Sequence, residues 1–280
     1  PEAAVLMKRN PFDAIWTDPP YNLALTSVKG TVHNDTFASD AEFEGFLKAC
    51  FAPAVEALPR GHYVFTCGHH GSYNATRAAL EGLGLELKNQ LIWVKPPLYA
   101  LQQTSSKSHE VIWVFQKPGA TRHLNADAGE TREEHDELLI PHEHLEKKSK
   151  GDLLEYVQAL TASMDIQRAP REHDKHANHP TVKPCSLISQ HLRRTTHPGD
   201  RVCDLFGGSG STALTCFRLG RKSLTFELDP SYIDVTLTRL YEHHQVDFMN
   251  QHGELWSDRW LPVRDERLNG EENDDVVVPD

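Results

Sequence analysis

Two consecutive prolines, Pro19 and Pro20, fix where an apolar run must end. Residues 12–17 read as a buried strand, and proline can neither donate to a ladder nor extend a helix. The strand therefore stops at Asp18, and the backbone that follows is stiff. Asp18-Pro19-Pro20-Tyr21 gathers an acidic side chain, fixed main-chain carbonyls and an aromatic ring at a strand's carboxyl end. Open α/β sheets bind their ligands at that end. A carboxylate and a carbonyl can both accept hydrogen bonds from an exocyclic amino group, while the ring stacks on the base that carries it. On the tetrapeptide alone, a turn without chemistry is an equal reading.

A second apolar run, residues 201–206, leads straight into Gly207-Gly208-Ser209-Gly210-Ser211-Thr212, and a helix carrying Ala213, Leu214, Cys216 and Phe217 follows. Glycines at such a turn let the backbone approach a ligand, and the helix N-terminus offers free N–H groups. A further strand, residues 223–226, ends at Glu227, twenty residues beyond Gly207. An acid at about that distance accepts the ribose hydroxyls of a bound nucleoside. The turn alone also fits a nicotinamide site or a purely structural role; the acid favours a nucleoside cofactor.

The rest of the chain alternates strand and helix. Asp40–Ala57 has helical spacing, with Phe43, Phe46, Leu47 and Phe51 on one face and Ser39 or Asp40 as N-cap. Strands are expected over residues 61–67, 85–95 and 110–115, and helices over 72–82 and 185–194. This alternation predicts an α/β fold built on an open, mostly parallel sheet.

Just before the glycine-turn strand stands Asn178-His179-Pro180-Thr181-Val182-Lys183-Pro184, with Lys183 27 residues ahead of Gly210. The DPPY tetrapeptide, this HPTVKP segment and the glycine turn, together with Ser108-His109-Glu110, resemble the beta group of amino-methylating DNA methyltransferases. The resemblance spans residues 12–245. It implies a Rossmann-like methyltransferase sheet in circularly permuted motif order, because Asp18 precedes Asp204 by 186 residues. Strands that neighbour each other at a sheet's switch point tolerate such a permutation. The order argues against protein-glutamine and ribosomal RNA methyltransferases, which usually place the cofactor turn first and use Asn-Pro-Pro-Tyr.

The resemblance further implies S-adenosylmethionine as cofactor and the N6 amino group of a flipped-out adenine in DNA as acceptor. Asp18, Pro19, Pro20 and Tyr21 are then catalytic. Asp204, Phe206, Gly207, Gly208, Gly210, Glu227, Thr181, Lys183 and again Asp18 bind the cofactor, Lys183 beside its methionine part. Tyr21, Asn22, Lys29 and Lys95 bind DNA or the target base. Cytosine N4 is the alternative acceptor; those enzymes more often have Ser at the position of Asp18. An inactive nucleic-acid-binding module and a nicotinamide oxidoreductase are further alternatives. The intact DPPY and glycine turn speak against the first, and the second leaves DPPY unexplained.

Four segments are expected: a catalytic half over 1–118, an inserted target-recognition region over 119–178, a cofactor half over 179–250, and a disordered acidic tail over 251–280. A formal charge of −11 is unusual for a DNA-binding chain. Its distribution matters more. Residues 127–146 carry eight acids against one Arg, and residues 253–280 carry nine against three, which leaves the remainder at +2. Lys29, Lys88, Lys95, Lys107, Lys117, Arg122 and the basic residues between Lys147 and Lys175 are candidates for a basic cleft.

The five cysteines lack paired spacing and read as reduced packing residues. His173, His176 and His179 around Asp174 sit in a polar loop, and no metal is expected. No stretch approaches the roughly 18 apolar residues of a membrane span, and no secretory leader is visible. The expected setting is the cytoplasm of a bacterial or phage-infected cell, near the nucleoid, with DNA as partner. A homodimer is compatible with this reading. So is a fused domain upstream of Pro1, because the Gly-Asp segment with which relatives hold the cofactor's adenine is not found here.

Overall fold

The computed structural model describes residues 2–23, 26–27, 30–31, 36–94, 109–120, 166–168, 182–244 and 246. The apolar run before the prolines forms β1 (Ala14–Thr17), buried at every position. The chain continues through a small hairpin, β2 (Thr26–Ser27) and β3 (Gly30–Thr31), into α2 (Asp40–Ala57), α1 (Glu2–Arg9) having preceded β1. Next come β4 (Tyr63–Gly68), α3 (Tyr73–Gly82), β5 (Glu86–Val94) and β6 (His109–Gln116). Strand β7 (Ile166–Arg168), helix α4 (Cys185–Thr195), strand β8 (Arg201–Asp204), helix α5 (Ser211–Arg218), strand β9 (Lys222–Thr225) and helix α6 (Pro230–His244) complete the described elements.

Seven strands form one sheet in the order β7-β5-β6-β4-β1-β8-β9. Strand β6 runs against both its neighbours, and every other pairing in the sheet is parallel. From β1 the chain passes through α2 to β4 on one side; from β8 it passes through α5 to β9 on the other. The winding direction reverses between β1 and β8, so the ligand-binding crevice lies beyond Thr17 and Asp204.

Period-two alternation divides the core between the two faces of the sheet. Ile15, Val64, Cys203, Trp113 and Phe115 pack with residues of α1, α2 and α3. Their neighbours Trp16, Phe65, Val202, Ile112 and Val114 pack with α4 and with Cys216 of α5. Residues buried on both faces explain why these strands read as continuous apolar runs rather than alternating ones.

Local signals set the helix ends. Ser39 is the N-cap of α2, its Oγ accepting from the Glu42 amide at 3.2 Å, and Glu42 Oε2 accepts from the Ala38 amide at 2.8 Å. This Ser-x-x-Glu arrangement satisfies two amides that the helix cannot. At the other end, Lys117 Nζ donates to the carbonyls of Val55, Glu56 and Leu58 at 2.7, 3.1 and 2.7 Å. Lys117 was a candidate for the basic cleft; it caps α2 instead. Lys88 is paired with Glu86 at 2.6 Å. The other cleft candidates have no described side chain.

Two features depart from the sequence reading. Helices α1 and α6 were not anticipated. Helix α5 does carry Ala213, Leu214, Cys216 and Phe217 as expected, with Phe217 at its exposed end and its ring on His244, centroids 4.9 Å apart. Ile166–Arg168, from inside the expected recognition region, adds β7 to the sheet edge beside β5. The stretch 153–164, the histidine group around Asp174 and the tail lie outside the described residues. All five cysteines are unbridged thiols, and four are buried. Among the described residues, no helix is long and apolar enough to cross a membrane.

Replacing the cap, Ser39→Ala, is expected to lower the unfolding free energy by about 1 kcal/mol. Urea denaturation of the full chain measures it, and an unchanged midpoint contradicts the capping role.

Candidate functional site

The two motif strands are joined at their carboxyl ends. Thr17 Oγ1 donates to Asp204 Oδ1 at 2.8 Å and accepts from the Leu205 amide at 3.2 Å. The Phe206 amide donates to the same Asp204 oxygen at 3.1 Å. The chain leaves β1 through Asp18, buried Pro19 and half-buried Pro20 and Tyr21. Asn22 then takes a left-handed conformation, φ 58°, which asparagine tolerates better than most residues. Its side-chain carbonyl accepts from the Phe37 amide at 2.8 Å, which fixes the loop's return toward α2.

Across the crevice, the glycine turn fits tightly against β9 and α6. A Cβ on Gly207 would lie 2.4 Å from Thr225 Cγ2, and Gly210, at φ 81°, caps α5 with Thr236 just behind it. Buried Arg239 of α6 donates Nη1 to the Ser209 carbonyl and reaches Ser209 Oγ at 3.4 Å. Glu227 holds this side together. Its Oε2 accepts from the Gly208 amide at 2.6 Å, and its Oε1 accepts from the Leu228 and Asp229 amides at 2.8 and 2.9 Å. The half-buried Phe206 ring faces Phe46, centroids 6.1 Å apart. Thr236 and Arg239 escape sequence reading because they sit mid-helix, in no motif.

On the β1 side, three carboxylate and phenol groups converge on one ammonium. Lys183, 5% exposed, donates to Asp18 Oδ2 and lies 3.2 Å from Glu110 Oε2. The Tyr21 hydroxyl donates to Asp18 Oδ1 at 2.6 Å and approaches Glu110 Oε2 at 3.4 Å. The Lys183 ammonium also sits 5.5 Å from the Tyr21 ring centroid. Burial opposes the Lys183 charge, but Asp18 and Glu110 outweigh it and raise the pKa, so the side chain stays an ammonium. Burial, then Asp18 and Glu110, push the Tyr21 pKa well up, which keeps its hydroxyl a donor.

The structure therefore brings together Asp18, Tyr21 and Lys183, and it adds Glu110, which no assignment from the sequence included. Glu110 had two signals: it closes the Ser108-His109-Glu110 segment, and it is the one acid in strand β6. Expected on the cofactor side, Lys183 here contacts the DPPY carboxylate. Gly207, Gly208, Gly210 and Glu227 form the opposite wall, and Asp204 ties the walls through Thr17. Thr181, Lys29 and Lys95 lie outside the described residues.

Asp204 is 2% exposed. Burial raises its pKa from 3.8 to about 7, against the lowering effect of Thr212, Thr17 and the Phe206 amide. Between those values the unfolded chain has released this proton and the folded chain retains it. Stability is therefore lost as pH rises through that window. Urea midpoints measured from pH 4 to 7 should fall for the wild type relative to Asp204→Asn, and parallel curves contradict the burial.

Residues 12–238 match the family model described as DNA methylase of N6/N4 type. The Type II methyltransferase M2.DpnII of Streptococcus pneumoniae is 22% identical over 253 residues, covering 86% of this chain and 87% of that protein. The M1.HpyAVI–SAM complex superposes with a TM-score of 0.57 at 19% identity, over 86% of this chain and 96% of the other. PvuII DNA methyltransferase, a cytosine-N4-specific enzyme, does so with a TM-score of 0.61 at 16% identity, over 96% and 90%. Both structural likenesses establish a Rossmann-like methyltransferase fold. The family match spans most of the chain, and this chain belongs to the N6/N4 DNA methylase family of S-adenosylmethionine-dependent amino-methyltransferases.

Proposed function

We propose that the chain transfers a methyl group from S-adenosylmethionine to the exocyclic N6 amino group of adenine in DNA, with the base flipped out of the duplex. The observation that carries this reading is the Asp18 carboxylate, held by Lys183 and Tyr21 at the carboxyl end of β1, the strand paired with the one that leads into the glycine turn. The cradle fits a nucleoside cofactor. Gly207 has no room for a side chain, α5 begins at the turn, and Glu227 is oriented by three amides. Gly207, Gly208 and Gly210 would line the cofactor, and Glu227 would accept from its ribose. When bound, that group supplies an electrophilic methyl on a sulfonium.

The residues of this chain do the rest. An adenine amino lone pair is conjugated with the ring and is a poor nucleophile. Asp18 and the Pro19 carbonyl accept its two hydrogens and localise the lone pair toward the incoming methyl. The amino nitrogen would take the methyl directly while the methyl–sulfur bond breaks toward sulfur and leaves a neutral thioether; the nitrogen then releases one N–H proton to solvent, and no covalent enzyme intermediate is needed. Positioning and electrostatics supply the acceleration. The Tyr21 ring stacks on the flipped base, an interaction worth about 1–3 kcal/mol.

Asp18 is also what favours adenine, since cytosine-N4 enzymes more often have Ser at that position. Residues 119–178 are proposed to select the DNA sequence, so exchanging them for a relative's segment should change the site methylated and not the base. Mass spectrometry of digested product DNA decides the base: N6-methyladenine is expected, and N4-methylcytosine overturns the choice. Asp18→Ala should abolish product while S-adenosylmethionine affinity stays within about threefold. Glu227→Ala should cost about 2–3 kcal/mol in cofactor binding by calorimetry, and unchanged affinity would make the glycine turn structural.

A further inference from the structure

We propose that Lys183 is a positioning residue for methyl transfer, clamping the Asp18 carboxylate with Glu110 as its counter-charge, rather than a partner of the cofactor's carboxylate. This rests on the reaction proposed above. Each Asp18 oxygen is held by a different donor: Oδ2 by Lys183 and Oδ1 by the Tyr21 hydroxyl. A carboxylate offers about four lone-pair sites, so each oxygen keeps acceptor capacity for the target amino group. The two donors fix the plane of the carboxylate. Rotation about an sp³–sp² bond such as Cβ–Cγ is otherwise loosely restrained. An error of about 1 Å in such a group is enough to cost a hundredfold in rate.

Glu110 explains how a cation can stand beside this carboxylate. Methyl transfer develops positive charge on the amino nitrogen, and an ammonium balanced by Asp18 alone would weaken the attraction that Asp18 offers it. Glu110 lies 3.2 Å from the same ammonium and 3.4 Å from the same phenol oxygen, and the five residues that follow it in β6, Val111 to Phe115, are apolar and buried. It restores negative charge to the cluster. Burying a carboxylate is costly unless it is paired, and here the pairing links three segments: the β1 exit, the approach to α4, and β6.

The test compares the full-length wild type with Lys183→Met, Lys183→Ala and Glu110→Gln. It uses single-turnover methylation of DNA at saturating S-adenosylmethionine, calorimetry of cofactor binding, and 2-aminopurine fluorescence at the target position as a reporter of flipping. Lys183→Met should slow transfer about a hundredfold, with cofactor affinity within about threefold of wild type and the fluorescence signal retained. Methylammonium should restore part of the Lys183→Ala rate, whereas tetramethylammonium, which cannot donate, should not.

A loss of cofactor affinity beyond about tenfold with a wild-type rate at saturation overturns the assignment in favour of cofactor binding. An unchanged Lys183→Met rate overturns it outright. If Lys183→Met fails to fold, Glu110→Gln decides: a rate about tenfold lower supports the clamp and an unchanged rate refutes it. A wild type that makes no methylated base removes the proposed reaction and the clamp together, whereas an active wild type with an unaffected variant removes only the clamp.

Discussion

A hydroxyl of Thr17 donates to the carboxylate of Asp204 across a sequence separation of 187 residues, at the point where two parallel strands end side by side. On one side of that bond the chain must turn because of two prolines; on the other it must turn because of glycines packed against Thr225 and Thr236. Neither turn has a neighbour in sequence that would hold it against the other. The strand pairing and this hydrogen bond do so, and they make a crevice out of two otherwise separate motifs. Asp204 is held where burial raises its pKa to about 7, with Thr17 and the Phe206 amide as partners.

Charge is distributed between the crevice walls in a way the formal total of −11 does not suggest. The β1 wall concentrates Asp18, Glu110 and Lys183 in a cluster where each charge has an opposite neighbour. The β8 wall has a carboxylate, Glu227, oriented by three main-chain amides, and a buried guanidinium, Arg239, turned onto a main-chain carbonyl. One wall is thus built from side-chain ion pairs and the other from side chains that anchor backbone. The first suits a reacting group whose orientation has to be fixed. The second suits a surface that a nucleoside approaches closely.

Lys117 shows how readily a composition argument overreaches. Counted as a cation for a polyanionic ligand, it instead closes the C-terminal carbonyls of α2, a common use of lysine at a helix end. The overall charge constrains nucleic-acid binding weakly, because much of the acid load lies in the segments 127–146 and 253–280, away from both motifs in sequence.

Local chemistry determined much by itself. Prolines ended β1 at Thr17, Ser39 and Glu42 started α2, and the acid twenty residues past Gly207 stood two residues beyond the end of β9, because each of these depends on a few consecutive residues and their backbone preferences. The apolar runs gave the strands, since residues buried on both faces leave no polar interruption. Helices α1 and α6 were missed because their burial is decided by partners elsewhere in the chain: Met7 packs with the α2 core, and Leu240 packs with Cys185, Ala213 and Leu214. Only the tertiary structure decided the strand order that sets β1 beside β8, the direction in which Lys183 points, and the presence of Glu110 next to Asp18. Those depend on pairings between residues up to 188 positions apart, Ala14 with Val202, and single-sequence periodicity holds no record of such distances.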